Sequence, residues 1–383
     1  MIKSKLGAIE TSIFSVMTAL AQKHGAINLA QGFPGFSPDP RIFQFTREAM
    51  EQGHNQYAPM SGWPPLNAFL CEALNTANGT NFTTGHNLTV TAGATQAIFT
   101  AISALVHPGD EVIVFDPAYD CYKPAIRLAG AEPVSIRLQA DFSVPWDQLQ
   151  SKFSSRTRMV IVNTPHNPGG TLWQPADWQR LADIVEDSSA VILSDEVYHQ
   201  IVFDGQQHHS ALACARLRDR TLATYSFGKS FHITGWKVGY IAGAEELMRE
   251  YQKVHQFNVF SVHHPSQVGL LKYLEKVPNA RAQLAPFYQE KRDLLADALE
   301  RSALRPLPCH GTYFSLYDYS AISKESDVEF TRRLTRDIGV ATIPISAFYD
   351  QPPEQHVIRI CFAKKTDTLQ QAADRLSSLP AAK

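Results

Sequence analysis

No stretch of this chain is apolar and long enough to span a membrane. Nor is there an excess of charge of either sign: the formal net charge is −2, which gives no electrostatic case for nucleic acid or an anionic membrane as partner. Cysteine is sparse and scattered. Cys71, Cys121, Cys214, Cys309 and Cys361 are odd in number and contain no Cys-x-x-Cys pair. A disulfide framework and a cysteine zinc site are therefore not indicated, and a reducing, cytoplasmic setting is the expectation. Internal repeats and low-complexity segments are also missing.

What remains is a globular composition, 44% hydrophobic and 19% charged over 383 residues. That length exceeds one ordinary core and implies two domains. The first residues imitate a secretion signal, with Lys3 and Lys5 ahead of an apolar stretch ending Ala19-Leu20-Ala21. However, Glu10 precedes that stretch and Ser12, Ser15 and Thr18 interrupt it. Ile13, Phe14, Val16, Met17, Leu20 and Ala21 recur at helical spacing, which predicts an amphipathic helix. No DNA-binding module is expected ahead of Ile13.

From Leu88 the pattern alternates strand and helix, the mark of an α/β protein with a mostly parallel sheet. Apolar strands are expected at Leu88–Thr91, Glu111–Phe115, Val134–Leu138, Met159–Val162, Val191–Leu193, Thr221–Tyr225 and Val238–Ala242. Further helices are expected over Arg41–Gly53, from Thr91 to about Val106, and from Glu245 onward. In open α/β sheets ligands bind beyond the carboxyl ends of the strands, and the chemically informative residues cluster there. Thr91-Ala92-Gly93-Ala94-Thr95 turns into a helix N-terminus, whose free N–H groups suit a phosphate. Asn163-Thr164-Pro165-His166-Asn167-Pro168-Gly169-Gly170 is a turn fixed by two prolines. Asp195 leaves an apolar run, where it is either a helix cap or a partner for a cationic ligand atom.

Ser226-Phe227-Gly228-Lys229 follows the Thr221–Tyr225 run onto a loop, and Gly235-Trp236-Lys237-Val238-Gly239 comes shortly after. A lysine confined there has its pKa lowered by desolvation and neighbouring charge, enough to attack an aldehyde. A surface loop with two solvated lysines carries the same residues. Residues from Arg281 onward change character, with charged helices around strands at Tyr313–Tyr317, Val340–Ile343 and Val357–Phe362. The last strand buries one arginine, Arg359, whose forked guanidinium suits a carboxylate. The paired histidines His208-His209 and His263-His264 have no cysteine or carboxylate at metal-ligand spacing, so they read as packed or solvated side chains and no metal is expected.

Together these strings resemble class I pyridoxal-phosphate aminotransferases: Ser-Phe-Gly-Lys with Gly-Trp-Lys-x-Gly, Asn-x-Pro-x-Asn-Pro-x-Gly, Asp-Glu-x-Tyr and Ile-Arg-Ile-x-Phe. Gln31-Gly32-Phe33-Pro34 resembles the methionine and kynurenine aminotransferase branch, with Gly35 where that branch usually has Asp. The resemblance runs from about Ile13 to Phe362. It implies fold type I, with a large domain over 35–280 and a smaller α+β domain over 1–34 and 281–383, linked near Pro278 to Pro286. It implies that Lys229 bonds the aldehyde of pyridoxal 5′-phosphate. Ser226, Lys237, Ala94 and Thr95 would hold the phosphate, with Tyr57 reaching it from a second copy in a homodimer. Tyr119 would stack on the ring, Asn167 and Tyr198 would share its phenolic oxygen, and Asp195 would pair with its nitrogen. Gly32, Phe33 and Asn167 would meet the substrate, and Arg359 its α-carboxylate.

The activity so implied is transamination from neutral sulfur-containing or aromatic, methionine-like amino acids to a 2-oxo acid. No second arginine lies between Gln256 and Gln267, where a dicarboxylate specialist would place one; Phe257, Phe260, His263 and His264 stand there instead. A C–S β-lyase on the same scaffold would share every one of these residues. A cofactor-free binding protein would be expected to lack Lys229 or Asp195.

Overall fold

The computed structural model describes residues 4–7 and 11–380; Lys3 and Glu10 lie outside them. The seven expected strands all form and belong to one sheet. They are β2 (Leu88–Thr91), β3 (Glu111–Asp116), β4 (Glu132–Arg137), β5 (Thr157–Asn163), β6 (Val191–Asp195), β7 (Thr221–Ser226) and β8 (Gly239–Gly243), following a short β1 (Ile27–Asn28). Their order is β2-β8-β7-β6-β5-β3-β4. The five strands from β7 to β4 run parallel, and β8 is antiparallel to both neighbours. β3, β5 and β6 read as near-continuous Val, Ile and Leu because both faces are covered.

Register lines up the strand ends. Asn163 pairs with Asp195, Asp195 with Thr224, and Ser226 and Thr91 both with Gly239. One edge of the sheet thus carries an amide, a carboxylate and a hydroxyl side by side. The helix Gly93–Leu105 packs Ile98, Ala101, Ile102 and Leu105 on the sheet, and its N-terminus points back at this edge. A side chain on Gly239 would stand 2.4 Å from the Tyr225 carbonyl and 3.3 Å from the Ala94 nitrogen. Glycine is what lets the helix start so close to β7 and β8.

The remaining strands are β9 (Arg305–Pro306), β10 (Phe314–Asp318), β11 (Val340–Ala341), β12 (Ile343–Pro344) and β13 (Val357–Cys361). The expected single strand Val340–Ile343 is in fact two. β11 pairs with β1, whereas β12 joins the four-stranded sheet β12-β13-β10-β9. The chain changes partner at Thr342, whose backbone leaves one sheet for the other; one threonine in a short, mostly apolar run carries no mark of such a switch. Ile13–His24 is helical, as the spacing predicts, with Met17 and Ala21 buried. The segment after it is stitched to the carboxyl-terminal region. Leu29 donates to the Ala341 carbonyl, Cys361 donates to that of Leu29, and Gly35 donates to that of Ala363. Lys229, expected on a loop, sits on a single helical turn, Phe227–Ser230; four residues are too few to show a period.

No helix among the described residues is long and apolar enough to cross a membrane. All five cysteines are free thiols, and the described residues hold no cluster of three or more His, Cys, Asp or Glu placed to bind a metal.

Candidate active site

A cavity opens at the aligned strand ends. Ala94, Thr95, Tyr119, Asn167, Asp195, Tyr198, Ser226, Lys229 and Lys237 all line it, together with Gly93, Asn163, Val197, Gly228 and Thr234. At one end the helix Gly93–Leu105 begins without a side-chain cap, and Gly93 has φ +77°. A Cβ on Gly93 would stand 3.4 Å from the Lys237 Cε and Nζ, and one on Gly228 would stand 3.3 Å from Ser226 Oγ. An uncapped helix start, a lysine and a serine hydroxyl around a glycine-floored hollow form an anion site of phosphate character.

The middle of the cavity is built on Asp195. Its Oδ2 accepts from the Tyr122 hydroxyl at 2.5 Å, and its backbone carbonyl accepts from the Asn163 amide at 2.9 Å. Burial pushes this carboxyl up to about 6, against the Tyr122 and Val197 hydrogen bonds and the charge of Lys229. Asn163 Oδ1 accepts from the Asn167 backbone N–H at 2.7 Å. His166 clamps the two loops that carry Tyr119 and Asn167. Its Nε2 donates to the Pro117 carbonyl at 3.0 Å and its Nδ1 accepts from Gly169 N–H at 3.2 Å, which fixes the tautomer. Burial holds it neutral, its pKa lowered to about 4.

Lys229 reaches the cavity from its helical turn. Its Nζ donates to the Tyr313 hydroxyl at 2.9 Å and more weakly to the Gly32 carbonyl at 3.4 Å. Burial lowers its pKa to about 8, with Arg359 and Lys237 acting in the same sense. An amine in that range is a competent nucleophile and base near neutral pH.

Arg359 lies behind Asn167, outside the cavity lining and fully buried on β13. It donates from Nη1 to Asn167 Oδ1 at 2.9 Å and from Nη2 to the Ala30 carbonyl at 3.1 Å. Its Nε has no partner. Its faces are covered by rings, with Phe314 at 3.8 Å, Phe348 at 5.0 Å and Phe14 at 5.1 Å from the guanidinium carbon. Burial lowers its pKa to about 10, so it stays charged. A buried cation with an idle donor is a ready carboxylate site.

Two further expected residues, Tyr57 and Phe33, lie apart from the cavity lining within one chain. Tyr57 is 82% exposed and packs on Phe260 beside a separate hollow lined by His263 and His264. Phe257 is 88% exposed. Phe33 is half-exposed and lies under the Lys364 ammonium at 4.6 Å, while Lys364 also donates to the Phe33 carbonyl at 2.8 Å. Of the histidines, His208 Nε2 bonds Glu196 at 2.9 Å and His264 Nδ1 donates to the Gln56 carbonyl at 3.1 Å. Sequence reasoning missed Tyr122, Asn163, His166, Tyr313, Phe314 and Phe348. Asn163 and His166 stand inside a motif that was already singled out; the four aromatics sit in apolar surroundings that read as core.

Fold and cavity are those of an α/β protein with a buried lysine of lowered pKa at the strand ends, and comparison with known proteins supplies the family. The profile of the family described as aminotransferase class I and II matches residues 24–376. The chain belongs to this family: it is an aminotransferase that works with pyridoxal 5′-phosphate and has the fold type I architecture. It is 47% identical to methionine aminotransferase of Escherichia coli over 98% of both chains. It is 32% identical to kynurenine–oxoglutarate transaminase 1 of Mus musculus over 98% of this chain and 96% of that one. The solved structure of YbdL from Escherichia coli, described as a methionine aminotransferase, superposes with a TM-score of 0.97 at 46% identity over 99% of this chain and all of that one.

Proposed function

We propose that this enzyme transaminates neutral amino acids with sulfur-containing or aromatic side chains, methionine-like donors first, to a 2-oxo acid. The observation that carries this reading is Arg359: one buried guanidinium with an idle Nε, walled by Phe14, Phe314 and Phe348. It offers one carboxylate site in otherwise apolar surroundings. The likeness to methionine and kynurenine aminotransferases supports the same class.

The cavity residues fit the cofactor group by group. Ser226, Lys237 and the N–H groups of Ala94 and Thr95 suit its phosphate, Tyr119 its ring face, Asn167 and Tyr198 its phenolic oxygen, Asp195 its nitrogen and Lys229 its aldehyde. When bound, pyridoxal phosphate supplies an electron-withdrawing ring that spreads negative charge developing at the substrate Cα. Asp195 holds the negative charge that keeps the ring nitrogen protonated. Arg359 grips the α-carboxylate and orients the Cα–H bond, with Gly32 and Phe33 along the substrate. Lys229 Nζ would take the proton from the substrate Cα as general base and, as general acid, deliver it to the carbon that was the cofactor's aldehyde. The buried rings of Phe314 and Phe348 against the guanidinium limit the access of competing water.

We further propose a homodimer in which Tyr57 completes the phosphate site of the other subunit, working in the cytoplasm. A large domain over 35–280 and a small one over 1–34 and 281–383 would divide cofactor binding from substrate clamping. A second carboxylate left unpaired among these rings would lose several kcal/mol of solvation. Donors are compared by mixing holoenzyme with each amino acid and following the visible absorbance of the half-reaction. The expected specificity constant for aspartate is at least about tenfold below that for methionine, roughly 1.4 kcal/mol. Aspartate equal to methionine would sink the substrate reading. Release of ammonia and pyruvate from a cysteine S-conjugate, faster than methionine transamination, would favour C–S lyase chemistry instead.

A further inference from the structure

Lys229 has one side-chain hydrogen-bond partner among the described residues, and it is a residue that neither the motifs nor the cavity lining marks. Tyr313 precedes β10 and is fully buried. Its ring is fixed edge-on to Tyr198, with centroids 5.2 Å apart, and packs against Phe314 at 4.8 Å and Tyr288 at 5.6 Å. Its hydroxyl donates to the Gly32 carbonyl at 2.5 Å. That bond uses the only proton the phenol has to give. Toward Lys229, at 2.9 Å, the Tyr313 oxygen can therefore act only as an acceptor.

The consequence lies in the proton count of the amine. A neutral lysine amine has two N–H bonds and one lone pair. Two acceptors face Lys229 Nζ, the Tyr313 oxygen and the Gly32 carbonyl, and they match those two N–H bonds. The lone pair is left pointing away from both. The Gly32 carbonyl is itself held in place by the Tyr313 hydroxyl, so one side chain arranges both acceptors.

We propose that Tyr313 is a positioning residue for transamination: it receives the Lys229 amine and turns its lone pair toward the reacting carbon. The proposal rests on the reading of Lys229 as the reacting lysine. Other charged or titratable groups around Lys229 are Asp195, Arg359, Lys237 and Cys361 and Tyr198, whose ring centroid is 5.6 Å from Nζ, and none of them hydrogen-bonds its Nζ. Tyr313 touches no reacting atom and acts through Lys229 alone. Phenylalanine at 313 keeps the packing but removes both the acceptor for Lys229 and the donor for Gly32. An ammonium deprived of an acceptor is harder to keep charged, so the Lys229 amine then titrates lower. It is neutral more often but badly aimed.

The test uses Tyr313→Phe, Tyr313→3-fluorotyrosine and Lys229→Ala beside the parent. Holoenzymes are assayed with methionine and with methionine deuterated at Cα. Apoenzymes are mixed with pyridoxal phosphate across pH 6.5–10, and covalent capture is followed by absorbance. For Tyr313→Phe we expect kcat at least about tenfold lower, a larger deuterium effect, and KM changed by less than about threefold. The pH midpoint of capture should shift below the parent's. Tyr313→3-fluorotyrosine, which keeps the hydroxyl, should restore kcat and midpoint toward the parent, and this rescue separates aiming from any loss of packing. Parental kcat, deuterium effect and midpoint in Tyr313→Phe would overturn the proposal. Failure of rescue by the fluorinated residue would do the same. Covalent capture at the parental rate by Lys229→Ala would instead overturn the underlying assignment of the lysine.

Discussion

Arg359 donates from Nη1 to Oδ1 of Asn167 at 2.9 Å, so a single hydrogen bond joins the buried guanidinium to the cofactor cavity. Because the Asn167 oxygen is taken by Arg359, its Nδ2 is left as a donor. That is the polarity a phenolate oxygen of the cofactor requires. The chain continues through Asn163 to the Asp195 backbone. The proposed carboxylate-binding arginine and the proposed partner of the ring nitrogen are thereby parts of one polar network.

Residues in one network are not independent. Asn167→Ala and Arg359→Lys should each lower kcat/KM for methionine, and the double variant should lose less than the sum of the two. The expected coupling lies at about 1–3 kcal/mol. Additivity to within about 0.5 kcal/mol in this double-mutant cycle would mean that the two residues work separately.

The Tyr122 hydroxyl is the other control on Asp195. The carboxyl sits at about 6 in the folded chain, above the 3.8 of an ordinary aspartate, because burial disfavours its charge. The native state therefore holds the extra proton between those values, and stability falls as pH rises through that window. Tyr122→Phe removes a bond to the charged form and pushes the carboxyl higher still. For the apoenzyme, the stability lost in this variant should be greater at pH 7.5 than at pH 4.5 by about 1.5–3 kcal/mol. Denaturant titrations at the two pH values measure it, and an equal loss at both would exclude the assigned role.

Tyr57 and Phe257 are more than four-fifths exposed, which is costly for large aromatic side chains unless a partner covers them. If a second copy does so, Lys229→Ala and Tyr57→Ala subunits should complement each other. Mixed heterodimers would contain one site with both residues intact. Activity should appear on mixing two inactive preparations, and light scattering should give the mass of two chains. A mass of one chain in active enzyme contradicts the proposal.

How much of this was legible beforehand follows from range of interaction. β3, β5 and β6 announced themselves because parallel strands buried on both faces are written as near-continuous apolar runs. Lys229, Asp195, Asn167 and Arg359 stood out as polar residues at the ends of, or inside, such runs. Tyr122 and Tyr313 did not, because an aromatic beside apolar neighbours looks like core until its hydroxyl is seen to reach Asp195 or Lys229. Those contacts span 73 and 84 residues of sequence, and no local period encodes them. The division of Val340–Ile343 between two sheets was hidden for the same reason, since each half is specified by a distant partner.

Glu196, next to Asp195, is a buried and multiply hydrogen-bonded charge. It is fully buried, yet it accepts from Ser194 Oγ at 2.8 Å, Ser210 Oγ at 2.9 Å, Ala211 N–H at 3.1 Å and the Tyr225 hydroxyl at 2.9 Å. His208 Nε2 approaches Oε2, the oxygen that also accepts from Tyr225, at 2.9 Å, while the other three donors share Oε1. Burial alone would raise its pKa, but His208 and the hydroxyl donors outweigh burial and hold it below 4.5. The network ties the end of β6 to β7 and to the segment 208–211, which fixes the backbone that presents Asp195 and Tyr198. Glu196→Gln keeps the shape but turns an acceptor-only group partly into a donor, leaving hydroxyls and the histidine facing an amide. The cost at pH 7 should be about 3 kcal/mol or more. Its sign with pH follows from the lowered value. The stabilisation from Glu196 is fully present above its unfolded pKa and is lost as pH falls through its folded one. The difference between parent and variant should therefore narrow as pH falls below the 4.5 of an ordinary glutamate. Urea unfolding at pH 7, 5 and 3.5 reads both quantities. A variant within about 0.5 kcal/mol of the parent at pH 7, where a neutral surface change would fall, would show that the network does not brace this strand end.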